Sequence, residues 1–290
     1  MDETRKIKAG FVQMKCVPDK NRNVEKAIKL IREAADKGAH IICLQELFHM
    51  IYFCYEENYD HFSLAETKDS ATMLQLSALA REQKIVLIIP YFEKRAEGIY
   101  HNSALVMDAD GSLLGNYRKI HIPDDPGYYE KFYFTPGDTG YMTFKTRYAT
   151  IGVLICWDQW YPEAARITSL MGAEILFYPT AIGWEDHEDQ ESRKTQQEAW
   201  ICMQRSHAIA NGVYVVAVNR VGKEKLTHFW GHSFVSSPAG KILCQAGQEE
   251  ETVVIQELDL GKIKDQRTHW PFIRDRRVDT YHSIEKKWVD

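Results

Sequence analysis

Ile151-Gly-Val-Leu-Ile155-Cys156-Trp157-Asp158, continuing as Gln-Trp-Tyr-Pro162-Glu163, is the stretch on which the architecture turns. The apolar run reads as a buried strand, and the break after it, with Pro162 suited to a first helical position, reads as a sharp turn into a helix. A strand that stops in this way is where an α/β sheet presents a nucleophile at its rim. Cys156 occupies that place. A free thiol of pKa about 8.5 is only a few per cent thiolate at neutral pH, so attack needs a base, a cation or a helix N-terminus nearby. The helix expected over 162–171 offers its positive end. Taken alone, a cysteine ending a strand is more often core than catalyst.

Outward from this point the pattern alternates. After the helix, closed by Gly172, come a strand over 175–178, a long helix over 192–211, and strands over 213–219, 230–236 and 253–258, with a turn at Ser237-Pro-Ala-Gly240. Towards the N-terminus, a strand over 7–14 precedes a helix with Val24, Ala27, Ile28, Ile31, Ala34 and Ala35 on one face, ending at Gly38. A strand over 40–44 follows, then a helix capped by Ser70 and running to about residue 84, and a continuous apolar strand over 85–89. Strands over 103–107 and 113–119 flank Asp108-Ala-Asp-Gly111 as a hairpin. Two α/β halves with strands apolar on both faces predict sheets that cover each other on one side and carry helices on the other, a four-layer α-β-β-α sandwich. Residues 1–260 read as one domain, and 261–290 as a charged tail whose Trp270, Phe272 and Trp288 dock on the same body or a neighbouring subunit.

Composition narrows the function. With 290 residues, 44% hydrophobic, 27% charged and a net charge of -5, the chain reads as globular, with no nucleic-acid or membrane partner. The six cysteines form no CxxC pair, and the N-terminus is charged where a secretory signal is apolar, which reads as a cytoplasmic protein with reduced thiols. His228 and His232 are four apart but flank Trp230 in an expected strand, where such spacing shares no helical face, so no metal site is expected.

Glu46 follows His40-Ile-Ile-Cys-Leu44-Gln45 at the exit of a strand, and Lys119 ends the hairpin strand between Arg118 and His121. Three reactive side chains thus fall at strand ends, where α/β sheets collect their sites. A solvated loop acid and a surface lysine are the ordinary readings of each alone.

Four strings, Gln45-Glu46-Leu47-Phe48, Tyr117-Arg118-Lys119-Ile120-His121, Glu130-Lys-Phe-Tyr-Phe-Thr-Pro136-Gly137-Asp138 and Ile155-Cys156-Trp157-Asp158, resemble the nitrilase, or carbon-nitrogen hydrolase, superfamily in order and spacing. The resemblance implies that superfamily's four-layer sandwich and a Glu46, Lys119 and Cys156 triad. It adds a second glutamate, Glu130, that orients Lys119 or a water. It also implies an oxyanion site from Lys119 and the Trp157 N–H, no metal or organic cofactor, and a homo-oligomer of two or more subunits.

Within the superfamily, Tyr52-Phe53-Cys54, the segment from His121 through Asp125 to Tyr128, Ile182-Gly183 and Asn219-Arg220-Val-Gly222-Lys223-Glu224 resemble the branch acting on the ureido group of carbamoylated diamines. A small cationic ureido substrate is therefore expected. Glu185, first of five acids in Glu185-Asp186-His187-Glu188-Asp189-Gln190-Glu191, and Asp125 are the expected partners of its ammonium, with Tyr52 as an aromatic wall. Trp184 departs from the family pattern beside Glu185. Relatives acting on N-carbamoyl amino acids are the alternative, although their carboxylate substrates call for Arg or Lys where this chain offers acids. Nitrile hydrolysis and a silent member serving as an interaction module are further readings.

Overall fold

A computed structural model describes residues 5–289. Met1 to Thr4, part of the charged N-terminus read above, and Asp290 lie outside the described residues. Side-chain alternation sets the layers. In β1 (Lys6–Gln13), β2 (Ile41–Cys43) and β3 (Val86–Ala96), the residues Ala9, Phe11, Ile41, Cys43, Val86 and Ile88 enter a core shared with the second sheet. Val12, Ile42, Leu87 and Ile89 lie on the opposite face, against Val24, Ala27 and Ile31 of α1 (Lys20–Asp36) and Met73, Leu76 and Ala80 of α2 (Ala71–Gln83). A one-residue slip would exchange the two faces, so the pattern fixes the register. Ser70 caps α2 as expected, its Oγ accepting from Met73 N.

The first sheet is completed by β4 (Ile99–Met107), β5 (Leu113–Arg118) and β15 (Thr252–Asp259), in the order β15-β1-β2-β3-β4-β5. The second holds β6 (Thr143–Lys145), β7 (Thr150–Val153), β8 (Ile175–Pro179), β10 (Tyr214–Val218), β13 (Phe234–Ser236) and β14 (Ile242–Gln245), in the order β14-β13-β10-β8-β7-β6. Each has three parallel strands at its centre and antiparallel strands outside. Ile151, Val153, Ile175, Phe177 and Val216 meet the first sheet, which makes the chain an α-β-β-α sandwich, with α4 (Pro162–Leu170) and α5 (Gln190–Asn211) packed against each other on the second half. Between β5 and β6 lies the short helix α3 (Glu130–Tyr133).

Two expectations change. The strand expected over 230–236 is two strands, because Gly231 and His232 adopt positive φ (57° and 54°) and turn the chain. The first part, β12 (Thr227–Trp230), joins β9 (Gly183–Glu185) and β11 (Val221–Glu224) in a three-stranded sheet. The strand over 85–89 extends to Ala96 and returns as β4 through Gly98 (φ 76°). The tail begins as α6 (Gly261–His269), held by Ile263 in the main core and by Arg267 Nε donating to Asn211 O at 3.0 Å. Beyond it Trp270, Phe272, Ile284 and Trp288 are exposed. Among the described residues no helix is long and apolar enough to cross a membrane.

Candidate active site

Glu46 lies three residues past β2, Lys119 directly after β5 and Cys156 three past β7, so strand ends from both sheets converge as expected from their order. All three are buried. Lys119 Nζ donates to Glu46 Oε1 at 2.9 Å and to Glu130 Oε2 at 2.6 Å. An ammonium has three donors, so one remains for another acceptor. Glu46 Oε1 also accepts from Asn102 Nδ2 at 2.6 Å, while Glu46 Oε2 makes no hydrogen bond and is available as a base.

Cys156 opens a 3-10 turn, Cys156–Trp160, with φ 43°. A non-glycine residue in that region carries about 1–3 kcal/mol of strain and persists where its surroundings over-determine it. The first N–H groups of such a turn have no partner within it, which leaves the Trp157 N–H beside the sulfur free of the turn's own bonding. The helix after Pro162 starts six residues beyond the cysteine, so the turn rather than α4 flanks the sulfur.

Burial sets the protonation states. It pushes the Cys156 thiol well above its ordinary range, the Glu46 carboxylate adds to this, and the Lys119 ammonium opposes it. Burial also works against the Lys119 ammonium, but Glu130 and Glu46 outweigh it and hold that amine charged. Glu130, lifted chiefly by burial against the pull of Lys119, titrates at about 6. The resting sulfur is therefore a thiol, and a base must take its proton.

Cys156 and Glu130 open into a cavity of about 670 Å³ lined also by Asp125, Tyr128, Trp157, Glu185 and Glu188. Asp125 and Glu185, the expected partners of a substrate ammonium, both line the cavity that Cys156 opens into. Glu185 Oε1 accepts from Thr227 Oγ1 at 2.7 Å, and a Cβ added at Gly127 would lie 3.3 Å from the same oxygen. Tyr52 is a correction. It does not line the cavity, because its ring is buried against Tyr128 and Phe229 and its hydroxyl donates to Glu130 Oε1 at 2.8 Å. Tyr128, Trp157 and Trp160 supply the cavity's aromatic lining instead. Trp184, which departs from the family pattern beside Glu185, does not line the cavity either. Alternation on β9 turns it into a cluster with Trp200 and Trp230, where its Nε1 donates to Arg193 O.

Three further elements hold the constellation and were not assigned roles from sequence. Buried Asp158 accepts from Tyr117 Oη at 2.6 Å, from Ile155 N at 2.9 Å, and from His121 N and Nδ1 at 3.0 and 2.7 Å, tying the cysteine turn to the strand carrying Lys119. Gly137 has no side chain to strike the Arg118 carbonyl, and its N–H donates to Lys119 O at 2.8 Å. Buried Arg220 pairs with Glu224 and reaches the backbone after Glu46. All three lie in strings quoted above, but sequence carries no signal of whom they touch.

An α-β-β-α sandwich with Cys156, Lys119 and Glu46 at its strand ends and Glu130 opening the short helix α3 beside them has the architecture of an amide-cleaving hydrolase. The chain belongs to the carbon-nitrogen hydrolase family, whose model matches residues 8–268. It is 47% identical over 285 residues to the N-carbamoylputrescine amidase of Oryza sativa subsp. japonica, covering 95% of this chain and 93% of the relative. To the citrullinase of Francisella tularensis it is 40% identical over 288 residues, covering 97% and 99%. Among solved structures, a carbon-nitrogen hydrolase from Helicobacter pylori G27 superposes with a TM-score of 0.94 at 45% identity, covering 98% of this chain and 100% of that one.

Proposed function

We propose that this enzyme hydrolyses the ureido group of N-carbamoylputrescine to putrescine, ammonia and carbon dioxide, a step that supplies a polyamine precursor. The observation that carries the reading is the cavity lining. Asp125, Glu185 and Glu188 share it with Cys156, and among its described lining residues there is no Lys or Arg. That charge pattern favours a distal ammonium and disfavours a distal carboxylate.

The chemistry follows from the contacts. Glu46 Oε2 takes the Cys156 proton as the sulfur attacks the ureido carbon and the carbon–sulfur bond forms. Charge develops on the carbonyl oxygen, which the third Lys119 donor and the Trp157 N–H stabilise; one such donor is commonly worth about 3–4 kcal/mol. Glu130 and Tyr52 hold Lys119 in place. Glu46 returns the proton as the carbon–nitrogen bond breaks and ammonia leaves. A water, deprotonated by Glu46, then cleaves the thioester-like intermediate to a carbamate, which loses carbon dioxide.

The relative that is a citrullinase supports a second reading, in which the ureido compound is an amino acid. Ammonia release from N-carbamoylputrescine, citrulline and N-carbamoyl-β-alanine separates them. Highest kcat/KM with N-carbamoylputrescine is expected, and faster turnover of either carboxylate-bearing compound would sink the first reading.

We also infer a homo-oligomer in which the segment after α6 meets a second copy. Its exposed Trp270, Phe272, Ile284 and Trp288 support this. A chain ending at Trp270 is expected to lose mass in light scattering, and an unchanged mass would refute it. Six unpaired cysteines support a reducing, cytoplasmic setting.

A further inference from the structure

Six hydrogen-bonded links join six residues in a closed circuit through the site, and Arg220 and Glu224 in it do not line the cavity. Lys119 joins the side chains of Glu46 and Glu130. Glu130 accepts from the Tyr52 hydroxyl, and the Tyr52 backbone N–H donates to Glu224 Oε2 at 2.6 Å. Both Glu224 oxygens lie 3.0 Å from Arg220 Nη1. Arg220 closes the circuit, its Nη2 donating to the carbonyls of Glu46 at 2.8 Å, Leu47 at 2.9 Å and Met50 at 3.3 Å.

We infer that Arg220 and Glu224 are positioning residues, a buried ion pair that holds the turn after β2 and thereby aims the free Glu46 oxygen at the thiol. Leu47 has φ 50°, a left-handed conformation in which a leucine needs support, and it directly follows the base. Arg220 braces this turn through three carbonyls from one nitrogen while the other nitrogen grips Glu224. Such a fork is planar and rigid, and an ammonium on a flexible stem cannot reproduce it. Arg220 is fully buried and the Glu224 side chain is 6% exposed, and among the described residues Arg220 pairs with no other carboxylate. The circuit therefore fixes Glu46 and Glu130 about Lys119 as a unit, and a displacement of about 1 Å at such a group costs on the order of 10²-fold in rate.

The inference rests on Glu46 as proton acceptor and is independent of which ureido compound is turned over. Arg220→Lys keeps the charge and loses the fork. With the fold verified by circular dichroism and thermal midpoint, kcat is expected to fall on the order of 10²-fold while KM stays within about twofold. Iodoacetamide labelling of Cys156, read by the mass of its peptide, is expected to slow about tenfold at pH 7 and to recover as pH rises, because the thiol has lost its base. A kcat within about threefold of the parent, a loss carried by KM alone, or an unchanged Cys156 labelling rate overturns the inference. Glu224→Gln serves where Arg220→Lys does not fold. It keeps an acceptor for Tyr52 N but removes the charge gripping Arg220, and a fall in kcat of about tenfold at constant KM is expected, an unchanged kcat overturning the inference. If the parent turns over none of the ureido compounds, the substrate assignment fails and the labelling experiment still decides this one.

Discussion

Lys119 Nζ and Glu130 Oε2 stand 2.6 Å apart with neither residue exposed to solvent. The pair makes the site's pH behaviour specific. Burial raises Glu130 from 4.5 to about 6, with Lys119 pulling the other way. Its folded pKa lies above its unfolded value, so the folded chain binds more protons in that window, and stability from this group falls as pH rises from about 4.5 through 6. The change amounts to about 2 kcal/mol. Glu130→Gln lacks it. Urea unfolding at pH 4.5, 5.5 and 6.5 is expected to show the variant gaining on the parent by that amount, and parallel curves would contradict the assignment.

Glu46→Gln keeps an acceptor for Lys119 and Asn102 but removes the base. A fall in kcat of about 10²–10⁴ with little change in KM is expected from ammonia release. Retained turnover would move the base elsewhere.

His49 is buried beside Glu66, which lies 3.4 Å away. Burial, outweighing that carboxylate, lowers its pKa from 6.5 to about 4. Here the folded pKa lies below the unfolded one, so the neutral ring contributes full stability above about pH 6.5 and loses it as pH falls towards 4, a span of about 3 kcal/mol. His49→Phe is expected to flatten this acid limb. Thermal midpoints at pH 5 and pH 7 test it, and an equal acid loss in both proteins would refute the burial argument.

Trp184 and Glu185 are neighbours that face opposite ways, the first into a core cluster and the second into the cavity. Trp184→Ala is expected to cost about 3–5 kcal/mol in denaturant unfolding and to leave KM alone, since the indole fills a core cluster. Glu185→Gln is expected to raise KM for N-carbamoylputrescine about tenfold, roughly 1.4 kcal/mol, without changing kcat. A tryptophan variant that alters KM would contradict the placement of the indole in the core cluster.

Much of the architecture was legible because period and punctuation are local. The alternation in 7–14 and the continuous run at 85–89 mark strands, both buried on two faces in the fold, Ser70 announces a helix start, and Asp108-Ala-Asp-Gly111 announces a hairpin. The division at Gly231 and His232 escaped because a left-handed histidine leaves no compositional mark. Tyr52 illustrates the other limit. An aromatic residue after a catalytic string reads as a substrate wall, yet the hydroxyl that Glu130 requires draws it behind the cavity, and Tyr128, Trp157 and Trp160 supply the aromatic lining.

By itself the sequence placed Glu46, Lys119 and Cys156 at strand ends, because strand endings follow from nearest neighbours along the chain. Tertiary structure alone decided that Glu46 keeps one oxygen free, that burial leaves Cys156 a thiol, and that Arg220 and Glu224 close a circuit around Lys119. Those are consequences of contacts between residues up to 174 positions apart, where desolvation and charge depend on what the fold brings together.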